Sequence, residues 1–325
     1  MNLKKHFKEI DFIRAVCCIL IIIYHFSIYT VGKIKFLHYA NGNLGEATVG
    51  VFFIVSGFVI YNSYHDEFSI DAYYKKRVKT IFPSFYLCWF IFYIMKALLH
   101  GKIIYIWESP WKIIFTIFGI DGYFHGLYPN FYLVGEWFLG AILFCYLIYP
   151  ILFKFIKESP YLMLLFLSTV SLYFHENNLV YIPHEYTDIF EYVLKFYIGM
   201  LLREKYELLN NKQLIFLLFT YFVLFSFIKV SSLYLFKIIY SISLFALLFF
   251  FGRFLNGGLI SIISNISYQI FLTHHQIIAK VLRFIGNPED TSHQLLVLFL
   301  IVLITILLSL IVKKTIKLFK KNNKK

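Results

Sequence analysis

The stretch EIDFIRAVCCILIIIYHF, residues 9–26, decides the fold. After Glu9, Asp11 and Arg14 it runs twelve residues without an Asp, Glu, Lys or Arg, and the apolar run continues to about residue 31. A hydrocarbon layer about 30 Å thick is crossed by roughly 20 apolar residues at about 1.5 Å rise each. Backbone groups in lipid must bond to one another, which leaves helices or a closed barrel. This segment is apolar on every face. It is not the alternation of about ten residues that a barrel strand requires. It also lacks a small-residue cleavage site and leads into further apolar segments, so it reads as a first membrane span and not as a removable signal peptide.

Working outward, segments of the same kind recur near 10–31, 44–62, 80–99, 131–153, 160–174, 188–203, 213–228, 232–251, 259–283 and 293–312. Hydrophobic residues make up 60% of the 325, too many for a soluble domain to cover with polar surface. The expectation is an all-α, polytopic membrane helix bundle with about ten transmembrane helices. It forms a single domain over 1–325, with spans over roughly 10–312 and a basic tail at 313–325.

Lys and Arg then orient the chain. With both termini cytoplasmic, 20 of the 31 basic residues fall on the inner side, among them Lys4, Lys5, the cluster Lys75 to Lys79, and the tail. The opposite side carries seven: Lys33, Lys35, Lys96, Lys102, Lys112, Lys229 and Arg283. The net charge of +13 follows from that bias, and the tail KKTIKLFKKNNKK suits anionic lipid headgroups. Nucleic-acid binding is excluded as the reason for it. The four cysteines lie in apolar segments without metal-ligand spacing, so neither a disulfide framework nor a metal site is indicated.

Ionisable and polar residues within spans carry the functional argument. Arg14 and His25 are eleven positions apart, which returns them to nearly one helix face about 16 Å apart. Asp11, three residues before Arg14, is placed to pair with it. A snorkelling Arg and a His bonded to a neighbouring helix would account for the same residues. In GVFFIVSGF, residues 50–58, Ser56 and Gly57 permit close helix approach. In YYKKRVKTIFP, residues 73–83, Lys76, Arg77 and Lys79 stand before a span whose first turn holds Pro83. They read either as topological anchors or as a clamp for phosphorylated donors. Glu136 and Trp137 begin GEWFLGAILFCYLIYP beside an outer loop rich in aromatics, including Trp107, Trp111 and Tyr132. That is the composition of an interfacial belt or of a sugar site. In ISNISYQIFLTHHQI, Ser267 and His274 are seven apart on one stripe that also holds Ser264, suited to interhelical bonding or to lining a cavity.

In this order, the five motifs resemble the acyltransferase-3 family of bacterial polytopic membrane acyltransferases, from about Ile10 to His275. Arg14 and His25 match the family's pairing, GVFFIVSGF its second-span signature, and SYQIFLTH its late Ser-Tyr…Leu-x-His segment, which selects His274 over His275. Two departures stand out. Thr80 holds the place of a second Arg in the basic motif, with Lys79 adjacent. Ile142 holds the place of the family's Glu, while Trp137-Phe138-Leu139 fits one branch.

The resemblance implies an O-acyltransferase of the bacterial inner (cytoplasmic) membrane. It would move an acyl group, usually acetyl, from cytoplasmic acetyl-CoA or another acyl-CoA to a hydroxyl of a surface polysaccharide or its lipid-linked precursor. No cofactor is bound, and acyl-CoA is a co-substrate. His25 serves as general base or as acyl carrier, with Arg14 toward the donor. Lys76, Arg77 and Lys79 hold the donor's phosphates, and Glu136, Trp137, Ser267 and His274 line the acceptor side or the cavity. The other partners are the glycan or lipid-linked oligosaccharide, membrane lipids, and a separate extracytoplasmic or oligomeric partner in place of the extra domain many members carry. The competing reading is a transporter or flippase for a polysaccharide precursor, without acyl chemistry.

Overall fold

A computed structural model describes residues 6–30, 43–101, 109–125, 127–177, 189–227, 234–255, 257–288 and 290–322. Lys4, Lys5, Lys33, Lys35, Lys102, Trp107, Lys229, Lys324 and Lys325 lie outside them. All regular structure among the described residues is helical. The helices are α1 (Lys8–Tyr29), α2 (Asn43–Tyr64), α3 (Ile70–His100), α4 (Ile113–Phe118), α5 (Asp121–Phe124), α6 (Glu136–Glu158), α7 (Pro160–Glu176), α8 (Ile189–Glu204), α9 (Lys212–Phe227), α10 (Tyr234–Gly252), α11 (Gly258–Asn265), α12 (Ser267–Ile285) and α13 (Thr291–Asn322). By length and composition six of them, α1, α2, α3, α6, α10 and α13, suffice to cross a membrane.

Among the described residues each apolar segment read from the sequence overlaps a helix. The fourth, read from 131, becomes helical only at Glu136, and two further revisions concern the third and the ninth. The basic run before the third segment is itself helical, because α3 starts at Ile70. Pro83 therefore stands well inside a helix and not in its first turn. The ninth segment breaks at Ile266, whose backbone (φ −105°, ψ 9°) leaves the helical region. Asn265 and Ser267 flank it, and such side chains compete with the helix for backbone hydrogen bonds. The break takes Ser264 off the stripe it was expected to share with Ser267 and His274.

The chain divides into two compact units: residues 1–68, 145–180 and 188–265, and residues 69–144, 181–187 and 266–325. In the first, α2 packs on α8 and α10, α1 packs on α2, α10 and α11, and α7 packs on α8. The core between α1, α2 and α10 contains Ile13, Val51, Ile54, Phe58, Phe245 and Phe249. At the crossing of α2 and α8 the backbones nearly touch. A Cβ on Gly57 would stand 1.9 Å from the Phe196 carbonyl oxygen, and one on Gly199 would stand 1.9 Å from that of Ile54. Small residues from both helices permit this approach. In the second unit α12 packs on α13 and α3, and α13 on α3. Buried polar bonds tie these helices: Gln269 Nε2 donates to Ser84 Oγ at 2.9 Å, and the Thr273 and Ser309 hydroxyls lie 3.3 Å apart.

Candidate functional site

In the first unit, α1 carries Arg14 and His25, both half-buried. Arg14 lies in the field of Asp11, Tyr146 and Cys18. Asp11 makes no ion pair with it. Instead the Asp11 carboxylate accepts the Ser264 hydroxyl at 2.7 Å and stands 3.0 Å from His6 Nε2. Packing α11 against α1 brings Ser264 there, a partner 253 residues away that no local spacing reveals.

At the other end of α1, the His25 and Tyr24 rings lie 5.2 Å apart. Gly45 sits against the Tyr24 ring so closely that a Cβ would come within 2.5 Å. Next to it Glu46 pairs with Lys237 of α10 at 3.1 Å. One turn further along α2, Gly50 makes room for Lys195 of α8: a Cβ there would stand 2.9 Å from Lys195 Nζ and 2.4 Å from Ser241 Oγ. Lys195 is fully buried and paired with Glu191, four residues earlier on α8. Lys195 falls within the sixth apolar segment, near 188–203. The signal for the pair was the i, i+4 Glu-to-Lys spacing of EYVLK in an apolar segment.

At the C-terminal ends of α2, α6 and α8, Glu204 collects the Tyr61 hydroxyl at 2.6 Å, His65 Nε2 at 3.2 Å and Lys157 Nζ at 3.7 Å. Arg203 Nε donates to Asn62 Oδ1 at 2.7 Å. Tyr61 and Asn62 lie on the last turn of α2 and His65 directly follows its end, so the C-terminal end of α2 meets all these partners.

In the second unit, the first turns of α3 carry exposed Lys76 and Lys79, and half-buried Arg77 with its guanidinium 5.7 Å from the centre of the Tyr73 ring. Pro83 has no N–H and cannot donate to the carbonyl four residues back, that of Lys79. Lys320 Nζ of α13 donates to this oxygen at 2.9 Å.

The start of α6 is held by a buried polar turn. Glu136 is fully buried. Both its oxygens accept the Leu133 N–H, each at 2.9 Å, and Oε2 also accepts Val134 N–H at 2.8 Å. Gly135 between them has φ +81°, a conformation glycine adopts without strain. Asp121, which the sequence reading passed over, is equally buried. Its Oδ1 accepts the Thr116 hydroxyl at 3.1 Å, and its backbone oxygen accepts Asn130 Nδ2 at 2.9 Å. Burial pushes the Asp121 carboxyl up to about 7, against a smaller opposing effect of the Thr116 bond. Half-buried Trp137 follows Glu136, and Phe138 packs on Phe271 of α12 with ring centres 4.1 Å apart.

Ser267 opens α12, and His274 lies buried two turns on. His274 Nδ1 is 2.7 Å from the Phe271 carbonyl and 3.1 Å from that of Ile270. Carbonyls only accept, so Nδ1 carries the proton and the lone pair of a neutral ring is on Nε2. The His274 and His275 rings lie 4.4 Å apart.

Arg14 and His25 thus share one helix of the first unit. Lys76, Arg77, Lys79, Glu136, Trp137, Ser267 and His274 all belong to the second. Neither curated proteins nor solved structures gave a match to the chain. A family model described as an acyltransferase domain, of the acyltransferase-3 type, matches residues 7–314. The chain therefore belongs to the acyltransferase-3 family of multi-pass membrane acyltransferases.

Proposed function

We propose that this protein is an O-acyltransferase, specifically an O-acetyltransferase, of the bacterial cytoplasmic membrane. Acetyl-CoA in the cytoplasm is the donor, and a hydroxyl of a surface polysaccharide or of its lipid-linked precursor is the acceptor. In this reading the chain crosses the membrane ten times with both ends in the cytoplasm. The observation that carries it is the pairing of Arg14 and His25 on one membrane helix, in a chain whose family match spans 7–314. Ionisable groups within a membrane helix are costly, which makes two of them at that spacing a functional site by default.

The chemistry needs a base for the acceptor hydroxyl. As the hydroxyl oxygen bonds to the thioester carbonyl carbon, His25 takes its proton. The carbon–sulfur bond then breaks and CoA leaves as a thiolate that recovers the proton. In the other route the imidazole takes the acyl group first, and the hydroxyl opens the acyl-imidazole. Arg14, about three turns nearer the N-terminus of α1, faces the donor. Lys76, Arg77 and Lys79 bind its phosphates. Glu136, Trp137, Ser267 and His274 serve the acceptor side or line the cavity.

The test is ester-linked acetyl on the surface glycans of cells making wild type or His25→Ala at matched membrane levels. Loss of acetyl in the variant alone is expected. Unchanged acetylation with less exported glycan would replace this reading with the transporter.

A further inference from the structure

Positive-inside anchoring accounts for basic residues at the end of a span, but not for what this tail does. From Lys313 to Lys321 helix α13 continues past its apolar part, with Lys313, Lys317 and Lys320 recurring at three- and four-residue intervals on one face. On the first turns of α3, Lys79 follows Lys76 by three residues and Lys75 by four. The two helices pack together. The Lys320 ammonium is seated on the Lys79 carbonyl, the oxygen that Pro83 deprives of its helical donor. The anchor is therefore specific to one lysine and one oxygen. It gathers two like-charged faces onto one surface within the second unit.

Like charges about 4 Å apart repel by about 1 kcal/mol even in water. Across residues 70–83 and 313–322, Asp71 is the single carboxylate to offset them. An arrangement of this kind is relieved by an anion carrying several charges spread over several ångströms. A lone phosphate covers too little of it. The nucleotide of coenzyme A, with a diphosphate and a separate 3′-phosphate, has that form.

We propose that Lys317 and Lys320 of the C-terminal helix, held to α3 by the Lys320–Lys79 contact, complete a composite site with Lys75, Lys76 and Lys79 for the nucleotide phosphates of the acyl donor. The identity of the ligand rests on the acyltransferase reading above; the geometry of the site does not. In this arrangement the α3 cluster alone is half of a donor site, and the tail is a substrate-binding element.

The test is binding of adenosine 3′,5′-bisphosphate to the full chain in a neutral detergent, for wild type and Lys317→Gln/Lys320→Gln, over a range of salt. Losing two exposed charge contacts is expected to weaken binding roughly tenfold and to flatten its salt dependence. Lys320→Arg, which keeps charge and donor, should bind like wild type and so control for misfolding. Equal affinity of wild type and the double variant would overturn the proposal. So would a loss confined to phosphatidylglycerol vesicles, which would assign the lysines to lipid.

Turnover separates this proposal from the functional reading. Wild type that binds the bisphosphate through these lysines yet consumes no acetyl-CoA keeps the site and removes the acyltransferase. Turnover in the double variant with an unchanged KM for acetyl-CoA does the reverse.

Discussion

Lys320 donates to the one carbonyl of helix α3, that of Lys79, which Pro83 leaves without a helical donor, across 2.9 Å. A proline inside a helix costs about 3 kcal/mol, partly through that lost bond. Here a side chain from the other end of the sequence restores it. Replacing Pro83 with Ala returns the N–H, so the Lys79 oxygen gains an internal partner that competes with Lys320. Hydrogen exchange at residues 313–322 should quicken in Pro83→Ala. Unchanged protection there would show that the lysine contact does not hold the tail.

The crossing of α2 and α8 tolerates no side chain at its centre. In Gly57→Ala the new methyl meets the Phe196 carbonyl oxygen, and backbone cannot move aside as a side chain can. A loss of about 1–3 kcal/mol, the usual cost of overpacking, is expected in detergent. Gly258→Ala, where nothing lies within 4 Å, is the control and should change little. Equal thermal midpoints for the two variants would contradict the close approach.

The buried Lys195–Glu191 pair predicts a non-additive result. Removing one partner, as in Lys195→Leu, strands a charge in an apolar interior and should cost about 3–5 kcal/mol. Removing both, as in Lys195→Leu/Glu191→Leu, should recover most of that. If the double variant loses as much as the sum of the singles, the two side chains are not coupled.

Asp121 predicts a pH dependence. Burial raises its carboxyl from 3.8 to about 7, so folding favours the neutral acid. The stability this group contributes is complete below the unfolded value and is lost as pH rises through about 7. Its size is at most about 4 kcal/mol. Asp121→Asn mimics the neutral acid, so the advantage of wild type over Asp121→Asn at pH 4 should shrink by pH 8. A difference independent of pH across that range would show that the carboxyl titrates normally.

The sequence by itself determined the class of fold and the family. Apolar segments of membrane length need no tertiary information to be read, because a helix in lipid satisfies its own backbone and its composition must match its solvent. Arg14, His25 and GVFFIVSGF were legible for a related reason: charged and small residues stand out where everything else is large and apolar. Tertiary structure alone decided the partners. Asp11 bonds to Ser264 and not to Arg14, Gly57 answers a glycine on α8, and Lys320 reaches Lys79. These pairs lie far apart in sequence, and helical periodicity relates residues only within one helix. The break at Ile266 and the true depth of Pro83 in α3 escaped the sequence for a complementary reason. Hydropathy measures how apolar a segment is, whereas helix ends depend on which backbone groups find donors and acceptors.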